Sequence, residues 1–345
     1  MATLLYLGTD EGVVTLKGGD GSWEIEGRAL PDWSVSEVAV DQAAPAVVYA
    51  GTRGDGVWRS QDAGKNWKKP SYGRRGPGKV QCLAFDPRDG RRLYAGGEPI
   101  DLYVSDDEGA SWQCLDSVWE HPYVSTITYP VPSVEPHVRD IAIDPRDSRV
   151  MYLALQVGYI LKTTDGGATW QLLDKDLDSD VHTIAIDPQD TGKILIATGG
   201  HDSRQGKSGG KALFRSTDGG GNWAPMALDF HQEYSIPLVL HPARPQVAYA
   251  ALANGYGRLW KRPTGAEGVM VRTSDGGMTW QQIAGDLPDI SRRMAVAIAI
   301  DPIEPENVYA ALDDGHLIAS HDGGDSWTRL EVQTPPANDA KCVRL

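Results

Sequence analysis

No apolar run in the sequence approaches the roughly 18 residues that a membrane-spanning helix needs, so no membrane-embedded segment is expected. The opening Met1-Ala2-Thr3-Leu4-Leu5-Tyr6-Leu7 lacks the basic start and full apolar stretch of a secretory leader, which makes a cytoplasmic location the expectation. Cysteine is scarce. Cys82, Cys114 and Cys342 are odd in number and far apart, which excludes a disulfide framework and a CxxC metal site. No HExxH, GxSxG or Cys/His zinc spacing occurs. There is no basic excess either. A net charge of −14 argues against general nucleic-acid binding, while leaving room for a local basic patch. Phenylalanine is nearly missing, with 3 residues against 11 tryptophans, an odd balance for an ordinary core. What abounds is punctuation: 39 glycines and 22 prolines break the 345 residues throughout.

The tryptophans report a repeat. Six of them end an octet: Ser60–Trp67 (SQDAGKNW), Ser105–Trp112 (SDDEGASW), Thr163–Trp170 (TTDGGATW), Ser216–Trp223 (STDGGGNW), Thr273–Trp280 (TSDGGMTW) and Ser320–Trp327 (SHDGGDSW). A worn seventh copy ends at Trp23, and the Trp-to-Trp spacings are 44, 45, 58, 53, 57 and 47. Periods of this size mean stacked supersecondary units. An apolar strand closed by Asp-Pro precedes most octets, as in Val181-His182-Thr183-Ile184-Ala185-Ile186-Asp187-Pro188. A short second strand such as Val47–Gly51 follows, then a third running into the octet, and the Trp opens a fourth. Four short strands separated by turn signals make one propeller blade.

The octet closely resembles the Asp-box of the BNR repeat, S-x-D-x-G-x-[ST]-W. That superfamily includes sialidases, xyloglucanases, the sortilin ectodomain and a photosystem II assembly factor. The resemblance spans essentially the whole chain and implies an all-β propeller without implying catalysis. Turn chemistry accounts for the octet. Its fifth-position Gly supports a positive φ, the Asp and Ser/Thr side chains close the turn, and the Trp is expected to pack between blades. Asp62, Asp106, Asp165, Asp218, Asp275 and Asp322, with Trp67, Trp112, Trp170, Trp223, Trp280 and Trp327, are therefore assigned structural roles. Residues 1–32 lack a first strand, and Lys341–Leu345 resembles the missing one. The expectation is a single domain of seven four-stranded antiparallel blades. One blade is shared by 1–32 and 341–345, and six more occupy 33–78, 79–136, 137–179, 180–233, 234–293 and 294–340. A six-bladed ring is the second choice, since it would leave 1–32 unpaired.

Blade topology places the Asp-Pro turns and octets on one face and the longer, variable loops on the other, where binding is expected. Those loops supply Arg74, Arg75, Trp119, His121, Tyr123, His137, His201, Asp202, His231, Arg258 and Trp260 as candidate ligand contacts. First strands line the central channel, and their upper ends carry Glu37, Arg139, Asp140 and His182, the candidate catalytic group, along with Ser36, Gln81, Cys82, Thr183 and Arg344. Two functions follow. One is a noncatalytic propeller that binds a protein, or a small, anionic or carbohydrate ligand, on the variable face. The other is a glycoside hydrolase or lyase using the channel-mouth residues, in which paired carboxylates would be the acid and base. Sialidase activity is not expected, because the early F/Y-R-I-P string of that family has only the out-of-register Arg28-Ala29-Leu30-Pro31 as a counterpart. Xyloglucanases pair two propellers around a cleft, and one is present. No cofactor is required, a divalent metal is an option, and neither nucleic acid nor a membrane is an expected partner.

Overall fold

The computed structural model describes residues 2–19, 22–70, 76–128, 134–207, 212–226, 228–285, 287 and 290–345. They form seven four-stranded antiparallel sheets arranged as the blades of a ring. From the axis outward, blade 1 holds Ala337–Arg344, Thr3–Thr9, Gly12–Gly19 and Ser22–Ala29. Blade 2 holds Val35–Val40, Val48–Thr52, Gly56–Ser60 and Trp67–Lys68, and blade 3 holds Val80–Asp86, Asp89–Gly97, Leu102–Ser105 and Gln113–Cys114. Blades 4 and 5 begin with Val138–Ile143 and Val181–Ile186, and blades 6 and 7 with Tyr234–His241 and Ala295–Ile300. The only helices among the described residues are single turns, such as Asp116–Trp119 and His201–Arg204.

The ring closes as the repeat implies, with one difference. The terminal strand begins at Ala337 rather than Lys341, and it pairs with Thr3–Thr9 along its length. Closure removes an open sheet edge. The shift matters for the channel. Arg344 sits at the far end, bound to Asp301 at 2.5 Å and to Glu304, and is not at the channel mouth. Asn338 and Asp339 take that place instead.

Five of the seven second strands are buried along every residue, for example Val48–Thr52, Met151–Leu155, Ile194–Thr198 and Val308–Leu312, and those of blades 3 and 6 only beyond their exposed starts. Each is covered on both faces by neighbouring blades, which explains runs that are apolar without alternation. Fourth strands face solvent, as the mostly exposed Ser22–Ala29 shows. The octets tie neighbours together. In blade 2 the Ser60 hydroxyl donates to Asp62 at 2.9 Å and accepts from the Gly64 amide, while Asp62 accepts from the Asn66 amide at 2.8 Å. Fifth-position Gly64, Gly109, Gly167, Gly220, Gly277 and Gly324 all have φ between 82° and 97°.

In blade 3 the bonding carboxylate is Asp107, not Asp106. Ser105 donates to Asp107 at 2.8 Å and the Ser111 amide donates to it at 2.8 Å, whereas Asp106 pairs with Arg92. The third octet position is residue 107, so the first of two adjacent aspartates lies one place early. Tyrosines on second strands clasp the next blade. The hydroxyls of Tyr49, Tyr152 and Tyr249 donate to the carbonyls of Glu108, Gly219 and Gly323 at 2.9, 3.0 and 2.9 Å. Blade 6 ends its first strand in His241 where others have Asp. Burial, with Arg244 adding, holds this imidazole below its usual range. Its neutral Nδ1 accepts from the Ala243 and Arg244 amides, as Asp86 and Asp144 accept from Arg88 and Arg146.

Candidate functional site

First strands share a local irregularity that builds the channel mouth. Register shifts fall between Val35 and Glu37, Val80 and Cys82, Val138 and Asp140, Val181 and Thr183, and Ala295 and Ala297. An extra residue in one strand twists it and leaves a backbone group unpaired. The innermost strand also has no fifth strand beside it, so its free amides and carbonyls need other partners. Third-position side chains reach across to supply them. Asp339 accepts from the Val38 amide at 3.0 Å, Glu37 from Leu83 at 3.0 Å and Asp140 from Ile184 at 2.7 Å. Thr183 donates to the Ile236 carbonyl at 2.7 Å, and Cys82 Sγ lies 3.5 Å from the Val138 carbonyl.

These strands enclose a cavity of about 320 Å³ with two unlike walls. Blades 1 to 5 contribute Asp339, Lys341, Glu37, Arg53, Arg139, Asp140 and His182. Blades 6 and 7 contribute Ile236, Pro237, Leu238, Val296, Ala297 and Ile298. Lys341 Nζ sits 3.3 Å from Glu37 Oε1 and 2.8 Å from Asp339 Oδ1. Burial works against its charge, but Asp339 and Glu37 outweigh it and hold the ammonium well above its usual range. Burial pushes the Glu37 carboxyl up to about 8 against the pull of Lys341, with Asp339 and Asp140 adding to the rise. Burial likewise raises Asp140 to about 6, opposed by the amides of Ile184 and Ile141. Arg139 lines the same cavity, and among the described residues it makes no hydrogen bond or ion pair.

The raised carboxyls set a pH dependence. A carboxyl with an elevated folded pKa gives stability that is complete below its unfolded value and lost as pH rises through the folded one. For Asp140 and Glu37 that loss runs from the ordinary carboxylate range up through about 6 and about 8. The octet aspartates act oppositely. Hydrogen bonds from Asn66 and Ser326 hold Asp62 and Asp322 at about 2, so their stabilisation is lost only in strong acid. The thermal midpoint is expected to fall as pH is raised from about 5 to about 8.5. Glu37→Gln, which keeps an acceptor for Leu83, flattens the upper part of that fall. Parallel wild-type and Glu37→Gln curves in a pH series of thermal melts would refute the assignment.

The structure brings Glu37, Arg139, Asp140 and His182 together around the cavity. His182 is held at Nδ1 and faces a carboxylate at Nε2. Its Nδ1 lies 2.6 Å from the Ser235 carbonyl, so that nitrogen carries a proton, and Nε2 lies 3.3 Å from Asp180 Oδ1. Burial opposes the Asp180 charge, but His182 holds this carboxyl well below the usual range. An imidazole held this way is a structural clasp rather than a free base.

His137 is buried beside the mouth, with Nδ1 3.1 Å from the Glu135 carbonyl. Burial, with Arg139 adding, holds it down to about 4. Asp202 is buried and accepts from the Tyr159 hydroxyl at 3.1 Å and the Ser179 amide at 3.0 Å, so it fastens a loop instead of facing a ligand. His201 starts the same short helix, its amide held by Asp178 at 2.9 Å and its Nε2 2.7 Å from Gln205. His121 accepts from the Tyr123 amide at 3.3 Å, and Trp119 nearby is 58% exposed. His231 meets Glu267 at 3.0 Å on the surface, and Arg258 is exposed. Trp260 donates to the Gly255 carbonyl at 2.8 Å and stands edge-on to Tyr234, which stands edge-on to His182. Arg74 and Arg75 lie outside the described residues.

Sequence reasoning missed Asp339, Lys341 and Arg53 at the mouth. The signal was present: Ala337-Asn338-Asp339-Ala340 matches Val35-Ser36-Glu37-Val38 in register against the second strand. Among the described residues no group of three or more His, Cys, Asp and Glu side chains is arranged to hold a metal ion. Among the described residues no helix is long and apolar enough to cross a membrane.

No family model matches the chain. A xyloglucanase from a Paenibacillus species is 23% identical over 343 residues, which covers 86% of this chain and 31% of that protein. The chain spans about a third of the length of the curated relatives it matches. The structure of the GH74 xyloglucanase from Xanthomonas campestris superposes with a TM-score of 0.68 at 19% identity, covering 99% of this chain and 52% of that one. The structure of YCF48 bound to D1 peptide superposes with a TM-score of 0.56 at 16% identity, covering 86% and 82%. At these identities the structural likeness establishes the seven-bladed fold.

Proposed function

We propose that this propeller binds a ligand carrying an anionic group, on a protein segment or a carbohydrate, at the mouth of its channel. The supporting observation is Arg139. It lines a cavity of about 320 Å³ without a hydrogen-bonding partner among the described residues. A guanidinium in a partly desolvated pocket gains most from a carboxylate or phosphate that accepts two of its parallel N–H groups. The opposite wall of Ile236, Pro237, Leu238 and Val296 suits the apolar part of the same ligand. The similar proteins are consistent with either ligand class, since one is named for a polysaccharide and one was solved with a peptide.

Catalysis is the second reading, favoured by Glu37 near 8 and Asp140 near 6, a pair able to hold and accept protons near neutrality. Binding ranks first because each of these carboxyls already accepts an amide proton from the next blade. The test is thermal stabilisation by peptides with a free C-terminal carboxylate and by uronate oligosaccharides, with neutral xyloglucan oligosaccharides as the control that the anionic reading expects to give no shift. One class is expected to raise the melting midpoint, and Arg139→Ala to weaken that ligand by about tenfold or more. No shift with either anionic class, or an undiminished shift in Arg139→Ala, sinks the binding reading. Sugar release that disappears in Glu37→Gln would put catalysis in its place.

A further inference from the structure

The variable face carries a cationic patch away from the channel, over blades 5 to 7. The segment between Ala253 and Val269 contains a turn of 3-10 helix, Gly257–Lys261, with Arg258, Lys261 and Arg262 on it or beside it. It is fastened to the next loop, where the Ala266 amide donates to the Arg292 carbonyl at 3.0 Å and the Gly268 amide to Ser291 at 2.9 Å. From blade 5, Arg204 lies over the Tyr256 ring at 5.8 Å, and Lys207 follows it. Lys207, Arg258, Lys261, Arg262 and Arg292 are all exposed. Among the described residues none of these five makes an ion pair or a side-chain hydrogen bond. Arg204 and Arg293 nearby are paired with Glu233 and Asp314. In a chain of net charge −14, five cations on adjoining segments without an ion pair among the described residues make a locally basic surface, with Glu267 as the acidic neighbour that Arg262 acts on.

We propose that this patch is a docking surface for an acidic, extended segment of a partner protein. Long-range attraction alone would admit any polyanion. The aromatic groups and the spread of the cations favour a peptide. Sugars and nucleic-acid bases are recognised through open ring faces on which they stack. Here one face of Tyr256 is covered by Arg204, and Trp260 is turned edge-on to Tyr234 with its indole N–H bonded to Gly255. Tyr256 thus already braces a cation on one face, and Trp260 is fixed by its contacts with Tyr234 and Gly255. The cations also come from three separate segments, a scatter that a flexible peptide can follow with its carboxylates. A stiff duplex would bring its charge against a protein of the same overall sign.

The test is fluorescence anisotropy of a labelled oligo-glutamate peptide with the full chain at low and physiological salt. Wild type is expected to bind with an affinity that falls as salt rises. Made in an Arg139→Ala background, so that the channel mouth takes no part, the triple variant Arg258→Glu/Lys261→Glu/Arg262→Glu is expected to weaken binding by about tenfold or more, and Arg292→Glu in that background less so. These positions are exposed, and an unchanged thermal midpoint shows that each variant still folds. Absence of peptide binding, equal binding by the triple variant, or tighter binding of polygalacturonate or duplex DNA overturns the proposal. Because Arg139→Ala separates the two surfaces, failure here leaves the channel-mouth reading standing, and the reverse.

Discussion

Ending the chain after Pro336 is expected to abolish the cooperative thermal transition and drive the protein into soluble or insoluble aggregates. The residues lost form the innermost strand of blade 1, which pairs with Thr3–Thr9 from Thr3↔Arg344 to Thr9↔Ala337. Their removal bares the backbone edge of a strand that is buried along its whole length. Long, apolar, unpaired edges are templates for intermolecular pairing. Cross-links go with them, among them Asp339 to the Val38 amide, Asn338 to the Val35 carbonyl, Lys341 to Glu37, and Arg344 to Asp301. The last leaves the fully buried Asp301 carboxylate without its cation, which costs several kcal/mol in comparable sites. A peptide of residues 337–345 added in trans is expected to restore part of the cooperative transition. A truncated chain that stays monomeric and melts in one sharp step would show that closure is not what holds the ring together.

Trp327→Ala is expected to destabilise the fold by about 3–5 kcal/mol, the range for removing a large buried aromatic side chain. Trp327 is 4% exposed and packs with Tyr249, Ile283, Ile298, Val308 and Ile318, between blades 6 and 7. Its indole N–H also donates to the Gly324 carbonyl at 3.0 Å. Trp67 occupies the same octet position in blade 2 and donates to Gly64 at 2.9 Å, yet it is only partly buried. Trp67→Ala is therefore expected to cost about half as much, since the transfer contribution scales with the apolar area removed from water. Urea titrations of the two variants check the ranking. Equal losses would mean that the octet turn, identical in both, carries the stability and the packing does not.

The ring was legible because its signals are local. An octet of fixed chemistry and an Asp-Pro turn recur whatever lies between them, so the blade count needs no knowledge of distant contacts. The first strand of blade 1 was misplaced because it lacks those signals. Ala337-Asn338-Asp339-Ala340 neither alternates cleanly nor ends in Asp-Pro, and its partner strand is more than 300 residues away. Asp106 and Asp107 are adjacent, and the octet spacing from Ser105 to Trp112 already picks out Asp107, the one that bonds Ser105 and Ser111. At the channel mouth the residue types were visible but their partners were not. His182 looks like a free base in the sequence, yet the Ser235 carbonyl holds its Nδ1 and the Asp180 carboxylate stands 3.3 Å from Nε2. Asp202 looks like a loop carboxylate, yet it is buried against Tyr159. Partners from other blades fix such roles, and no sequence spacing encodes them.

The third-position side chains have a mechanical consequence. Carboxylates bolt the upper inner rim from blade 1 to 2, from 2 to 3 and from 4 to 5, and Thr183 bolts 5 to 6. From blade 6 to 7 and from 7 to 1 the same position is Pro237 and Ala297, which have no side-chain donor or acceptor. The rim therefore behaves like a split washer. The arc that carries the charges is bonded from blade to blade at this position, and the apolar arc is held there by packing alone, so any opening of the rim is expected at the apolar arc first.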